Sequence, residues 1–171
     1  MKEYKKPSVT ADNIIFTYKD NQLYVLLIKR KNPPFKDYYG FPGGFLEENE
    51  NLETCAKREL FEETNVSNAN LIELGMFSDP NRDERGWIIS DCFMAIINYD
   101  ELVYKAGDDA SEAKLFKLDY YHKDDKLYVT LSNGNIVLEN IIDEKNNMIK
   151  SSLCFDHLKM LKKALTKLKT I

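Results

Sequence analysis

Two hydrophobic periods divide this chain. Ala11–Tyr18 is apolar and rich in β-branched residues, and Leu23–Ile28 is an unbroken apolar run. Lys19-Asp20-Asn21-Gln22 between them supplies turn residues, so the pair predicts a hairpin. An apolar run without polar alternation predicts a central strand covered on both faces. Lys29, Arg30 and Lys31 cluster at its end, and Pro33-Pro34 marks a loop. Tyr38–Phe45 (YYGFPGGF) predicts a shaped turn and not a strand, because Pro42 fixes one φ and two glycines release the next two.

At about Asn51 the period changes. Leu52, Cys55/Ala56 and Leu60 recur at three- and four-residue spacing, which predicts a helix to Thr64 with Asn51 as its N-cap. Leu71–Phe77 and Trp87–Ile97 predict two strands joined by the polar loop Ser78–Gly86, and Ala113–Leu118 predicts a short one. Asn133-Gly134 between Leu127–Leu131 and Ile136–Leu138 is a hairpin signal. From Phe155 to Lys169 an amphipathic helix carries the stripe Leu158, Leu161, Leu165 and Leu168, which reads as core packing. No repeat, low-complexity tract or linker interrupts the pattern. The chain is read as one domain over residues 1–171, with a mixed sheet and helices on its faces, an α/β (α+β) class.

Composition narrows the function. At 171 residues, 43% hydrophobic and 30% charged, this is an ordinary globular composition. The net charge of −4, from 28 acids against 24 bases, argues against a nucleic-acid partner. No apolar run approaches the roughly 18–20 residues of a membrane span, and the basic N-terminus lacks the apolar core of a secretory signal. Cys55, Cys92 and Cys154 form no metal-ligating pair and no disulfide framework. They read as small buried residues in a cytoplasmic protein.

The chemistry concentrates on the helix after Asn51. Glu59, Glu62 and Glu63 stand at i, i+3 and i+4 and share one helical face. Three carboxylates there repel one another unless a cation neutralises them, and hard divalent ions take such oxygen ligands. Considered alone, such a run is a solvated acidic face. Its surroundings change that reading. Gly44 is followed after five residues by Glu50, after seven more by Arg58-Glu59-Leu60, then by Phe61, Glu62-Glu63, Thr64, Asn65 and Val66. This resembles the Nudix box, G-x5-E-x7-R-E-U-x-E-E-x-G-U, with U a bulky aliphatic residue. One position departs, Asn65 for the final glycine. Asparagine is the side chain most tolerant of the left-handed conformation that a helix C-terminus requires, so the turn is expected to survive.

The resemblance implies a Nudix-type α/β/α sandwich and hydrolysis of a nucleoside diphosphate linked to another moiety. It implies Mg²⁺ or Mn²⁺ held by Glu59, Glu62 and Glu63 with the Gly43 backbone, and a catalytic role for Glu62 and Glu63. Gly44 would lie against the substrate. Arg58 would face away from the metal and pair with Glu50, bracing loop against helix.

Outside the box, Ser78–Trp87, Gly107–Ala110 with Glu112, and Phe155-Asp156-His157 are similar to bacterial ADP-ribose pyrophosphatases. That subgroup implies cleavage of ADP-ribose to AMP and ribose 5-phosphate, and a homodimer. Arg30, Arg82 and Arg85 are candidates for the phosphate or ribose oxygens. Tyr18, Phe41 or Trp87 are candidates to stack on adenine. The general base is assigned to Glu112 ahead of Asp108, Asp109 and the in-box Glu62 and Glu63. His157 reads as a hydrogen-bonded packing residue, and His122, in a polar loop, has no role. The alternatives are a Nudix enzyme acting on another nucleotide, such as a nucleotide sugar, NADH or a modified nucleoside triphosphate, and a Nudix-derived regulator that senses ADP-ribose. Too little chain follows the last predicted strands for the winged helix of such a regulator.

Overall fold

The computed structural model describes residues 2–107 and 110–171. Asp108 and Asp109, two of the base candidates, lie outside the described residues. In chain order the elements are β1 (Ser8–Lys19), β2 (Gln22–Arg30), β3 (Tyr39–Gly40), β4 (Gly43–Phe45), α1 (Leu52–Thr64), β5 (Ile72–Phe77) and β6 (Ile88–Ile96). A 3₁₀ turn at Tyr99–Glu101 precedes β7 (Ala110–Lys123), β8 (Lys126–Asn133), β9 (Ile136–Asp143), β10 (Met148–Lys150) and α2 (His157–Leu168). The strands form one mixed sheet in the order β10-β9-β8-β7-β2-β1-β6-β5, with β3 on β2 and β4 on β1. Among the described residues β1 and β6 pair in parallel and the other strand pairs are antiparallel, with a further isolated parallel bridge between Tyr39 and Leu153.

The unbroken apolar runs are explained by the layers. Side chains alternate across a strand, so a strand between two helices must be apolar at every position. Ile14 and Phe16 of β1, with Val25 and Leu27 of β2, join Leu158, Leu161 and Leu165 of α2 in one core. Ile15 and Leu26, the intervening residues, join Leu60 of α1 in the other. The two helices therefore cover opposite faces, as the α/β/α reading requires. Each buried leucine of the α2 stripe contributes roughly 1.5–3 kcal/mol; Leu168, at the end, is only partly buried.

Local chemistry sets the ends of α1. The Asn51 side chain accepts the Thr54 amide at 2.9 Å. Asn65 takes φ 61° and its N–H donates to the Phe61 carbonyl, closing the helix as a glycine would.

Several local expectations are corrected. Tyr38–Phe45 holds two short strands, β3 and β4, because its backbone amides and carbonyls are completed by β2 and β1. The short strand at Ala113–Leu118 is the middle of a 14-residue strand. Its polar outer half, which includes His122, pairs with β8 through a turn in which Asp124 and Asp125 both take positive φ. The edge strand β10 has no hydrophobic pattern to reveal it: all three of its residues are exposed.

Candidate active site

Pairing of β4 with β1 sets the floor of the site. Gly43 lies opposite Asp12 and Gly44 opposite Ala11. Asn13, buried, donates its Nδ2 to the Pro42 and Ala56 carbonyls at 3.3 and 2.9 Å, locking this turn to α1. A side chain at Gly44 would run into the Glu59 carboxylate, and one at Gly43 into the Ala11 carbonyl and the Asp12 carboxylate. Glycine is required at both positions by close approach. Glu63, only 7% exposed, accepts the Gly43 amide at 2.8 Å. Glu59 and Glu63 thus converge across the Gly43-Gly44 backbone, and both line a cleft of about 410 Å³.

Arg58 braces this acidic wall. Its Nη2 and Nε donate to the two Glu50 carboxylate oxygens at 2.6 and 3.1 Å, and Nη2 also reaches the Phe45 carbonyl at 2.9 Å. Those bonds hold the Glu50 carboxyl at about 2, well below its ordinary value. The same guanidinium does not face away from the acidic set. Its Nη1 donates to Glu59 at 2.7 Å and to Glu62 at 3.3 Å. Glu62 remains half exposed and does not line the cleft. Among the described residues no three acidic, histidine or cysteine side chains already surround one point. The donor set nevertheless suits a hard divalent ion: two carboxylates, one nearly buried, meet over a turn whose glycines leave the approach open.

The opposite wall is cationic and aromatic. Arg30 comes from the end of β2, with its Nε on the Pro34 carbonyl at 2.8 Å. Arg82 and Arg85 come from the loop between β5 and β6, and Phe155 from the segment before α2; all line the cleft. That segment is docked by the Cys154 amide on the Tyr39 carbonyl at 3.0 Å. Arg82 is buried and forms a two-bond pair with Asp156, at 2.9 and 2.6 Å, tying the loop to α2. Arg85 is more exposed, is held by Asp83 at 2.7 and 3.0 Å, and lies over the rings of Phe45 and Phe155. Burial raises the Asp83 carboxyl, but its bonds from Arg85 more than offset this and leave it below its ordinary value.

Of the other candidates, Phe41 and His157 line the cleft as buried side chains, and Glu112, Trp87 and Tyr18 lie outside it. Glu112, on β7, does not line the cleft. It accepts Tyr39 Oη at 2.8 Å and pairs with Lys114 and Lys29. Lys114 and the Tyr39 hydroxyl hold its carboxyl below the usual range, which weakens it as a base. Trp87 is 58% exposed and outside the cleft, and Tyr18 stands at the β1–β2 turn. Phe41 lines the cleft but is buried, stacked on His157 at 5.2 Å. His157 is buried, its Nδ1 accepting the Phe41 amide at 2.9 Å and its Nε2 facing Asp12 at 3.6 Å. Burial holds its pKa below the usual histidine value, in keeping with a neutral packing residue. The three cysteines are buried thiols. Sequence reasoning missed Asp12, Phe45 and Phe155 in the cleft. Phe45, directly after Gly43-Gly44, was signalled by that adjacency, and Phe155 by its place in the Phe155-Asp156-His157 resemblance.

Two carboxylates of α1 and three arginines from other segments therefore line one cleft. The chain belongs to the NUDIX domain family, whose model matches residues 7–130. It is 47% identical over 115 residues to an ADP-ribose pyrophosphatase of Methanocaldococcus jannaschii, covering 67% of this chain and 64% of that protein. It is 31% identical over 168 residues to the ADPR-responsive transcriptional repressor NtrR of Acinetobacter baylyi, covering 97% of this chain and 56% of that protein. A MutT/nudix family protein from Enterococcus faecalis superposes with a TM-score of 0.86 at 36% identity, over 99% of this chain and 65% of that one. The chain thus spans between about half and two thirds of these relatives. Among the described residues no helix is long and apolar enough to cross a membrane.

Proposed function

We propose that this chain is a divalent-metal-dependent Nudix pyrophosphohydrolase that cleaves ADP-ribose to AMP and ribose 5-phosphate. The carrying observation is the convergence of Glu59 and Glu63 across Gly43-Gly44 in a cleft whose far wall holds Arg30 and Arg85. Glu59, Glu63 and the turn's backbone would hold Mg²⁺ or Mn²⁺, with Glu62 completing the site from the half-exposed side. The metal, when bound, supplies charge neutralisation of the diphosphate and an activated water. Glu63, nearly buried and fixed by the Gly43 amide, would serve as the general base as well as helping to hold the ion. Arg58 with Glu50 positions Glu59. Arg30 and Arg85 meet the phosphate or ribose oxygens, and Arg82 contributes by fixing the loop that carries Arg85. ADP-ribose is favoured because two curated relatives are named for it, one as an enzyme and one as a responsive repressor.

The test is turnover of ADP-ribose with Mg²⁺ and with Mn²⁺, following AMP and ribose 5-phosphate. Faster cleavage of a nucleoside triphosphate overturns the substrate. Tight ADP-ribose binding without turnover supports the second reading, a sensor. That reading is favoured by the repressor's match over nearly the whole of this chain.

A further inference from the structure

The cleft contains a feature that the acidic helix does not explain. The Arg85 guanidinium carbon stands 5.0 Å from the Phe45 ring centre and 4.9 Å from that of Phe155. A guanidinium thus lies over two aromatic rings at the cleft's edge; the Phe155 ring also packs on Phe35 at 4.9 Å and lies under the Arg30 guanidinium at 5.1 Å. Phe155 holds this position with φ 49°, a left-handed backbone that bulky side chains disfavour. Its neighbours Cys154 and Asp156 are buried and fixed, by Tyr39 and Arg82, whereas Phe155 itself is only half-buried. Residues held in sparsely populated backbone conformations cluster at active sites and ligand clamps. Arg85 also differs from its neighbour Arg82. Its side chain is 34% exposed against 4%, and its carboxylate partner is two residues away on the same loop. The side-chain hydrogen bonds given for Arg85 stay within its own loop, so its departure breaks only its ring contacts, whereas that of Arg82 breaks a two-bond tie to Asp156.

We propose that Phe45 and Phe155 form the slot for the heteroaromatic base of the nucleotide, with Arg85 as a displaceable plug. A guanidinium plane and a purine have similar thickness, and both are attracted to ring faces. The base enters between the rings and Arg85 swings toward the anionic part of the ligand. This assignment rests on the nucleotide reading above and names the residues that select the base end of the ligand.

Calorimetric titration with AMP and with ribose 5-phosphate tests it, using the unsubstituted chain, Phe155→Leu, Phe45→Leu and Arg85→Ala. Each leucine variant is expected to weaken AMP about 10-fold, the scale of one base–aromatic stack, and to leave ribose 5-phosphate within about 2-fold. Arg85→Ala removes the plug and also a phosphate contact, so it is expected to weaken ribose 5-phosphate more than AMP; AMP weakened more than ribose 5-phosphate overturns the plug. Phe45 is 43% exposed, so Phe45→Leu keeps the test valid even where Phe155→Leu is unstable. Unchanged AMP binding in Phe45→Leu, equal weakening of both ligands, or no AMP binding by the unsubstituted chain overturns the slot. ADP-ribose turnover is followed in parallel. No turnover with the AMP discrimination intact removes the hydrolase and leaves the slot. Turnover with an unaltered KM in Phe45→Leu removes the slot and leaves the hydrolase.

Discussion

The two walls of the cleft are built on different principles. The acidic wall is one continuous stretch, Gly43 to Glu63, in which a turn, a brace and a helix face each other across a few residues. The cationic wall is assembled from the end of β2, the loop between β5 and β6, and the entry to α2. On the first wall the ion pairs are close in sequence: Arg58 holds Glu50, Glu59 and Glu62. On the second, Arg82 reaches Asp156, 74 residues away. Local pairing lets the acidic wall form with the helix, whereas the cationic wall exists only after the sheet has brought three segments together.

Four substitutions test this contrast. The largest effect is expected from Glu63→Gln. It keeps an oxygen to accept the Gly43 amide and removes the charge, so ADP-ribose turnover should fall about 10²–10⁴-fold with an unchanged melting temperature. Glu112→Gln is the paired control. Because Glu112 lies outside the cleft, turnover should stay within about 3-fold, and a loss like that of Glu63→Gln would return the base to β7.

Arg82→Ala should act on the fold of the second wall. It strands a buried Asp156, at about 3–5 kcal/mol and a fall in melting temperature on the order of 10 °C. Thermal denaturation reads this, and a variant of unchanged stability that loses only substrate affinity would make Arg82 a direct ligand.

The smallest effect concerns a carboxylate that no arginine braces. Asp91 is buried, and one of its oxygens lacks a hydrogen-bond partner. Burial first, and the nearby Glu73 second, push it up to about 6. The unfolded value is about 3.9, so the folded chain holds this proton more tightly. Stability is therefore present at low pH and is lost as pH rises through about 4 to 6. Asp91→Asn should raise the melting temperature by a few degrees at pH 7.5 and leave it unchanged near pH 4. A rise equal at both values would show packing in place of charge.

How much could be read without coordinates follows the same division. The helix with its caps, the β1–β2 hairpin and the double-sided central strands were legible because each signal is local: a period, a cap, a turn dipeptide. β3 and β4 were not, since two- and three-residue strands exist only through their partners in β2 and β1. The outer half of β7 was hidden because its exposed faces carry no hydrophobic pattern. Within the site, the spacing of Glu50, Arg58, Glu59, Glu62 and Glu63 was enough to mark an acidic helix face. It did not show that Arg58 also reaches Glu59 and Glu62, because side-chain reach depends on rotamer and burial.

By itself the sequence determined the elements, the two apolar faces of the central strands and the acidic helix behind a glycine turn. All of these follow from periodicity and short-range sterics. Only the tertiary structure decided which arginine is a strut and which is open to a ligand, and that Phe45 and Phe155, 110 positions apart, flank one guanidinium. The physical reason is chain connectivity. Contacts between distant segments depend on strand order and register, which no local pattern encodes, and burial then separates Arg82 from Arg85 three residues away.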